Sequence, residues 1–211
     1  MNAFLKSIPW ILLYSRLFIS LLFAFFGIFQ NLYFKNVVLC IVLFSFGFIG
    51  DIFDGIIARY LKMDTTKMRM LDSIFDTLFW LSASYLLFLH GGEIQHVLLS
   101  GIASVISLVF IEYLVCFLRF SRTPSSHNFI SKFFGLFLFT FYFLAFIGMS
   151  PIIFGIAVFC LGFIARLDSL LIYLIVKEWT HDVPSSYHAY LIRNGKKFKR
   201  NKLFHSEHTE Y

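Results

Sequence analysis

Residues 35–60 read KNVVLCIVLFSFGFIGDIFDGIIARY, an apolar run whose two acidic residues lie near its end. A helix of roughly 20 apolar residues is long enough to cross the hydrocarbon core of a bilayer. Runs of this kind recur, and they predict six membrane-spanning helices at about 9–30, 35–60, 69–89, 96–118, 129–149 and 151–176. Only 14% of the 211 residues are charged, whereas soluble domains carry about 25%. The sequence therefore predicts an all-α integral membrane protein with six transmembrane helices.

The basic residues predict the orientation of these helices, because short loops rich in Lys and Arg stay on the cytoplasmic side. With a cytoplasmic N-terminus, the opposite side of the membrane keeps Lys35 alone. The other loop cations then lie together on the cytoplasmic side: Lys6, Arg59, Lys62, Lys67, Arg69, Arg119, Arg122 and those of the tail. We therefore expect both termini in the cytoplasm.

Two regions are expected, a six-span membrane domain over residues 1–176 and a basic cytoplasmic tail over residues 177–211. The tail contains Lys196-Lys197-Phe198-Lys199-Arg200-Asn201-Lys202. Such a cluster beside a membrane is attracted to anionic head groups by about 1 kcal/mol per basic side chain. Nucleic-acid binding is the alternative interpretation. We do not expect it, because a basic tail on a membrane protein commonly sets orientation and surface binding.

Four aspartates occupy the second and third predicted spans. At the end of the second span, one helical face carries residues spaced i, i+3, i+4, i+7 and i+8, which are Asp51, Asp54, Gly55, Ala58 and Arg59. The third span begins with Asp72 and Asp76, spaced i and i+4 on one face. A short connection makes the two helices antiparallel neighbours, so both acidic pairs are predicted at similar depth in the cytoplasmic half of the bilayer.

A carboxylate at the centre of a membrane helix is unfavourable by roughly 2.5–3.5 kcal/mol, and four facing carboxylates also repel one another. Protonation or divalent cations would stabilise such a set. Mg²⁺ prefers oxygen ligands, and two metals about 3.5–4 Å apart suit phosphoryl chemistry. The alternative is that these aspartates are polar residues lining a helix interface or a water cavity. Two same-face pairs with Gly, Ala and Arg interleaved favour the metal site.

This stretch resembles the CDP-alcohol phosphatidyltransferase family. The shared pattern is Asp-x2-Asp-Gly-x2-Ala-Arg, about eight residues, then Gly-x3-Asp-x3-Asp. The chain reads Asp51-x2-Asp54-Gly55-x2-Ala58-Arg59-x8-Met68-x3-Asp72-x3-Asp76. Every position matches except the second glycine, where Met68 stands. The first span is similar as well, with Pro9 and Arg16 in place, although Trp10 and Leu13 replace the usual Asn and Thr. The resemblance covers roughly residues 9–176.

The resemblance implies a role for each matching residue. Asp51, Asp54 and Asp72 would hold two metal ions, Mg²⁺ or Mn²⁺, and Asp76 would share the second metal and act as general base. Four residues would contact CDP-diacylglycerol: Gly55 through close backbone approach, Ala58 through its small size, Arg59 through the diphosphate, and Thr65 near the nucleotide. The reaction would move a phosphatidyl group to a small polar alcohol and release CMP. A homodimer in a bacterial inner membrane is also expected.

The acceptor alcohol is suggested by the fourth span. Residues 112–119 resemble a stretch of phosphatidylglycerophosphate synthases, so glycerol 3-phosphate is the first candidate acceptor. Arg119, Lys132 and Arg166 would then form a pocket for its phosphate, because cations within spans are functional candidates. Alternatively, Arg119 and Lys132 snorkel to the interface, and Arg166 pairs with Asp168 or Glu112. Inositol, inositol phosphate, serine or another amino alcohol remain open as acceptors.

Three other functions are weighed against this one. A cation-coupled transporter would use the aspartates to bind ions or relay protons, but it does not require Gly55, Ala58 and Arg59 beside them. A membrane prenyltransferase would carry two separated Asp-rich motifs on more spans. A catalytically inactive scaffold stays open because of Met68.

Overall fold

A computed structural model describes residues 3–29, 36–61, 65–90, 92–122, 124, 128–180 and 183–195. Within these ranges the side chains of residues 3–6, 58, 59, 66, 67, 69 and 70 lie outside the description, and so do the basic tail cluster and Lys35. The described residues form helices and connecting turns and contain no strand.

Seven α-helices follow one another along the chain. They are α1 (Ala3–Ile28), α2 (Val37–Tyr60), α3 (Thr66–His90), α4 (Gln95–Phe120), α5 (Phe129–Phe146), α6 (Ile152–Ile175) and α7 (Ser186–Arg193), with a 3-10 turn at Gly92–Ile94. The first six are long and apolar enough to cross a membrane, over Ser7–Ile28, Val37–Ile57, Leu71–His90, Gly92–Phe120, Phe129–Phe146 and Ile152–Ile175. The predicted all-α fold with six spans is therefore confirmed.

The turn between α5 and α6 shows how the sequence ends a span. Gly148 adopts a φ of +85°, a left-handed conformation that glycine takes without steric penalty. Its N–H donates to the carbonyl of Ala145 at 3.0 Å, and the N–H of Met149 donates to the carbonyl of Leu144 at 3.0 Å. These two bonds form a Schellman motif, which satisfies the last carbonyls of α5. Pro151 follows, and α6 begins at the next residue.

The chain folds as two compact units. The first comprises Met1–Leu98 and Phe139–Ile152. In this unit the backbone of α1 lies close to those of both α2 and α3, whereas α2 and α3 contact each other mainly through side chains. The two helices predicted to be neighbours therefore contact each other, and α1 packs against both. Aromatic side chains fill the core: the ring of Phe44 stacks on that of Phe79 with centroids 5.5 Å apart.

Close helix approach in the first unit depends on Gly47. A Cβ at this position would lie 2.5 Å from the ring of Phe79, so a larger residue would push α2 away from α3. A polar contact lies in the same core, where the hydroxyls of Ser84 and Tyr142 are 2.6 Å apart. Side-chain packing and buried hydrogen bonds thus hold the unit together, as expected where lipid supplies no hydrophobic force between helices.

The second unit comprises Leu99–Leu138 and Ile153–Tyr211. Its helices approach closely at small residues, since a Cβ at Gly162 on α6 would lie 2.5 Å from the ring of Phe134 on α5. The beginning of the predicted tail is folded in this unit. Ala189 of α7 packs with Ile172, Val176 and Val183 in one buried cluster. Residues 177–211 were predicted to form a polar tail, and the structure shows that this segment contains the helix α7.

Candidate active site

The last turns of α2 and the first turns of α3 bring three carboxylates together. Asp51, Asp54 and Asp72 each present an oxygen, and these oxygens all lie within 4.8 Å of one another. The i, i+3 spacing turns the first two toward one side of α2, and Asp72 lies in the second turn of α3. The clustering expected from the sequence is therefore present.

An arginine from a third helix occupies the centre of this cluster. The Arg16 guanidinium on α1 donates to Asp54 Oδ2 at 2.6 Å and also to Asp51 and Asp72. Its Nη1 lies 3.8 Å from Asp76 Oδ1, which brings the fourth aspartate to the same cation. The Arg16 side chain is 0% exposed. All four predicted aspartates therefore surround one buried positive charge.

The four carboxylates differ in their access to the outside of the protein. The Asp54 side chain is 5% exposed, whereas those of Asp51, Asp72 and Asp76 are 36%, 44% and 41% exposed. The site is thus closed at its base by Arg16 and Asp54 and open on the side of the other three. The carboxylates of Asp51, Asp72 and Asp76 are therefore partly exposed at the protein surface.

The donor set fits a divalent metal ion. Carboxylate oxygens are the ligands that hard cations such as Mg²⁺ prefer, and three such oxygens lie near one another here. The cluster also already holds a cation, the Arg16 guanidinium, so its charge favours positive ligands. Asp51, Asp54 and Asp72 are therefore suited to hold a metal, with Asp76 beside them.

The predicted nucleotide contacts lie around the same helix ends. A Cβ built on Gly55 would have no contact within 4 Å from packed neighbours, so the α2 backbone is accessible there. Ala58 and Arg59 belong to α2, but their side chains lie outside the described part. Thr65 is exposed, and its hydroxyl accepts a hydrogen bond of 3.2 Å from the N–H of Met68. Thr65 therefore caps the start of α3, a role that the sequence analysis did not consider.

Met68, the position that departs from the family pattern, is buried in an apolar cluster. It packs with Leu13 of α1 and Phe75 of α3, and Trp10 borders the same cluster. Two of these residues, Trp10 and Leu13, are the departures noted in the first span. The three departures thus lie together in space. Leu13 is about one helical turn before Arg16 on α1, and Met68 is about one turn before Asp72 on α3. Apolar side chains fill this flank of the site.

The three cations proposed for the acceptor belong to the second unit. The Arg119 guanidinium donates to the backbone carbonyls of Tyr173, Leu174 and Val176 at 2.5, 2.7 and 3.2 Å, so it caps the end of α6. Lys132 is exposed near the start of α5. The acceptor pocket of Arg119, Lys132 and Arg166 therefore stays a prediction.

Arg166 has one of the two local partners considered from the sequence. Its Nη1 lies 3.7 Å from Glu112 Oε2, and Glu112 Oε1 accepts a hydrogen bond of 2.5 Å from Ser169. Asp168 instead accepts hydrogen bonds from Asn128 and from Ser186 at the start of α7.

Arg16 is the functional residue that sequence reasoning left without a role. A signal was available, because Arg16 is the one charged residue in the apolar run 9–30. A charge in a membrane helix calls for a partner, and four unpaired aspartates were already predicted. Which helix would face them could not be derived from spacing alone.

A profile of the CDP-alcohol phosphatidyltransferase family matches residues 6–180 of the chain. No curated protein sequence and no solved structure matches the chain at a significant level. The matched range includes α1 to α6 and all the residues of the carboxylate cluster. The chain therefore belongs to the CDP-alcohol phosphatidyltransferases, membrane enzymes that transfer a phosphatidyl group from a CDP-alcohol to an alcohol acceptor.

Proposed function

We propose that this protein transfers the phosphatidyl group of CDP-diacylglycerol to glycerol 3-phosphate and releases CMP. The observation that carries the proposal is the carboxylate cluster of Asp51, Asp54 and Asp72, with Asp76 beside it. The exposed side of the cluster suits the diphosphate of CDP-diacylglycerol, whose acyl chains stay in the lipid. Inositol, inositol phosphate and amino alcohols are the alternative acceptors.

In the proposed reaction the acceptor hydroxyl attacks the phosphorus attached to diacylglycerol. Asp76 takes the hydroxyl proton as the new P–O bond forms, and the bond to the phosphate of CMP breaks with its electron pair leaving on CMP. Mg²⁺ or Mn²⁺ ions held by the four aspartates would neutralise the diphosphate and stabilise the leaving group. The exposure of the Asp76 side chain supports its access to an acceptor.

The residues around the cluster are assigned to the two substrates. Gly55 and Ala58 leave the α2 backbone open to the nucleotide, and Arg59 pairs with the diphosphate. Thr65 contributes near the nucleotide through its hydroxyl proton, since its oxygen is used as an acceptor in the helix cap. Arg59 suits this role because guanidinium binds phosphate through parallel hydrogen bonds.

The phosphate of the acceptor is assigned to Lys132 and Arg166. In this assignment Arg166 would contact the phosphate while its Nη1 stays 3.7 Å from the buried carboxylate of Glu112. Arg119 serves the same region indirectly by capping α6, which carries Arg166.

The membrane setting of the proposal follows from charge. Loops rich in Lys and Arg stay on the cytoplasmic side, so we expect the site and both termini there. We also propose that the protein is a homodimer in a bacterial inner membrane. Its basic tail would bind anionic head groups.

The test is a CMP-release assay with purified full-length protein, Mg²⁺ or Mn²⁺, CDP-diacylglycerol and single acceptors. Glycerol 3-phosphate should give the fastest release, and Lys132→Ala should raise its KM more than that of uncharged glycerol. A faster rate with inositol or serine would identify that alcohol as the acceptor and would leave the proposed type of reaction unchanged. No CMP release with any acceptor from folded protein would contradict the proposal and favour transport or scaffolding.

A further inference from the structure

Arg16 is a positive charge placed where the proposed metal ions need carboxylate oxygens. Among the described residues, the hydrogen bonds of the Arg16 side chain run from its two Nη atoms to Asp51, Asp54 and Asp72. These are the same three residues whose oxygens cluster closely enough to hold a metal. A carboxylate oxygen has a limited number of lone pairs, so an oxygen that accepts from a guanidinium is less available to a cation.

Among the described side chains, Arg16 balances only part of the negative charge of the cluster. When ionised, the four aspartates carry four negative charges, and the guanidinium supplies one positive charge. Four facing carboxylates without any cation would repel one another strongly in a membrane environment. Arg16 therefore explains how the site stays assembled before metal binds, and the remaining negative charge explains why it still attracts divalent cations.

The described hydrogen bonds of the Arg16 side chain involve its two terminal nitrogens, Nη1 and Nη2. Its Nε is buried and has no hydrogen-bond partner among the described residues. A guanidinium fixed permanently in a structural ion pair would be expected to use its buried donors, because an unmade buried hydrogen bond is unfavourable. In the part of the chain that the structure describes, the contacts to the carboxylates hold the tip of Arg16 in place.

We propose that Arg16 is a built-in counter-cation that competes with divalent metal for Asp51, Asp54 and Asp72. In the metal-free protein the guanidinium neutralises part of the cluster and holds α1 to α2 and α3. Metal loading then requires Arg16 to give up carboxylate contacts, so Arg16 lowers the metal affinity of the site while stabilising the metal-free fold. The proposal rests on the metal site of the proposed function and gives Arg16 a positioning role.

The test is a titration of EDTA-stripped, full-length protein in detergent micelles with Mn²⁺, followed by calorimetry. Arg16→Gln removes the charge and should tighten Mn²⁺ binding by at least about tenfold, since a nearby unit charge repels a divalent cation. Arg16→Lys keeps the charge with a single nitrogen and should tighten binding less. Arg122→Gln removes a cation that stacks on Trp179 instead and should leave Mn²⁺ affinity unchanged.

Thermal unfolding supplies a second readout that does not depend on turnover. Arg16→Gln should have a lower Tm than the wild type in EDTA and a larger rise in Tm on adding Mn²⁺. If this variant does not fold in EDTA, it is purified with Mn²⁺ and its affinity is measured by chelator competition. Unchanged or weaker Mn²⁺ binding in Arg16→Gln would overturn the proposal. A wild type that binds no Mn²⁺ would overturn the metal site itself.

Discussion

Met68 of α3 packs against Leu13 of α1, and both side chains are almost fully buried. The family pattern has Gly at the first position and Thr at the second, so two departures from it contact each other. They lie one turn from the contact between Arg16 and Asp72. The apolar contact therefore helps to hold α1 against the helix that carries half of the carboxylates.

Replacing Met68 by Gly and Leu13 by Thr tests this contact as a double-mutant cycle. Each single change should lower the free energy of unfolding by about 1–3 kcal/mol, because packing at a buried contact is lost. The double variant should lose less than the sum of both, with a coupling energy above about 0.5 kcal/mol. Stability is measured by thermal or denaturant unfolding in micelles.

A matched control for this cycle pairs Met68→Gly with Val158→Thr, a buried apolar change in the other unit. These two effects should add. Additive losses for Met68 and Leu13 as well would show that the two residues do not depend on each other.

Arg119 is predicted to act on stability rather than on acceptor binding directly. Its guanidinium caps the last carbonyls of α6, and a cation at a helix C-terminus contributes about 0.3–2 kcal/mol. Arg119→Met should lower the Tm, while Arg119→Lys recovers part of it. Steady-state kinetics should show a KM for glycerol 3-phosphate in Arg119→Met close to that of the wild type. A large rise in KM for glycerol 3-phosphate alone would instead place Arg119 in the acceptor pocket.

Asp168 is predicted to anchor α7. Its Oδ1 accepts hydrogen bonds from the N–H and the hydroxyl of Ser186 at 3.0 and 2.6 Å. Asp168→Ala should speed amide hydrogen exchange in residues 186–193 and leave exchange in α1 unchanged. Asp168→Asn keeps an acceptor oxygen and should have the smaller effect. Equal protection of α7 in the wild type and in Asp168→Ala would contradict the anchor.

Thr65 is predicted to stabilise the start of α3 as an N-cap. Loss of its hydroxyl in Thr65→Val should lower the free energy of unfolding by about 1 kcal/mol. Thr65→Ser keeps the cap and should retain stability. A KM for CDP-diacylglycerol that rises in Thr65→Val and not in Thr65→Ser would support the nucleotide role as well. An unchanged Tm in Thr65→Val would show that Thr65 does not stabilise α3 as an N-cap.

Most of the fold could be predicted from the sequence because length and hydropathy decide which segments cross a membrane. The spans expected at about 69–89 and 96–118 correspond to Leu71–His90 and Gly92–Phe120. Helix α7 could not be predicted in this way. Its eight residues are too short for a periodic pattern, and it is held by long-range contacts such as that from Ser186 to Asp168.

The carboxylate cluster was predictable for a similar reason. The i, i+3 and i, i+4 spacings fix which side chains share a helical face, and a short connection fixes the depth of both helices. Arg16 was different, because its place in the cluster depends on how α1 packs between α2 and α3. Periodicity within one helix carries no information on that packing.

The most direct test of the account compares CMP release by the wild type and by Asp76→Asn. We expect Asp76→Asn to lower the rate by about 10²–10⁴-fold, as for loss of a general base, while CDP-diacylglycerol still binds. Glu93→Gln makes the same chemical change at an exposed position in the 3-10 turn and should leave the rate unchanged. A rate for Asp76→Asn equal to that of the wild type would contradict the account.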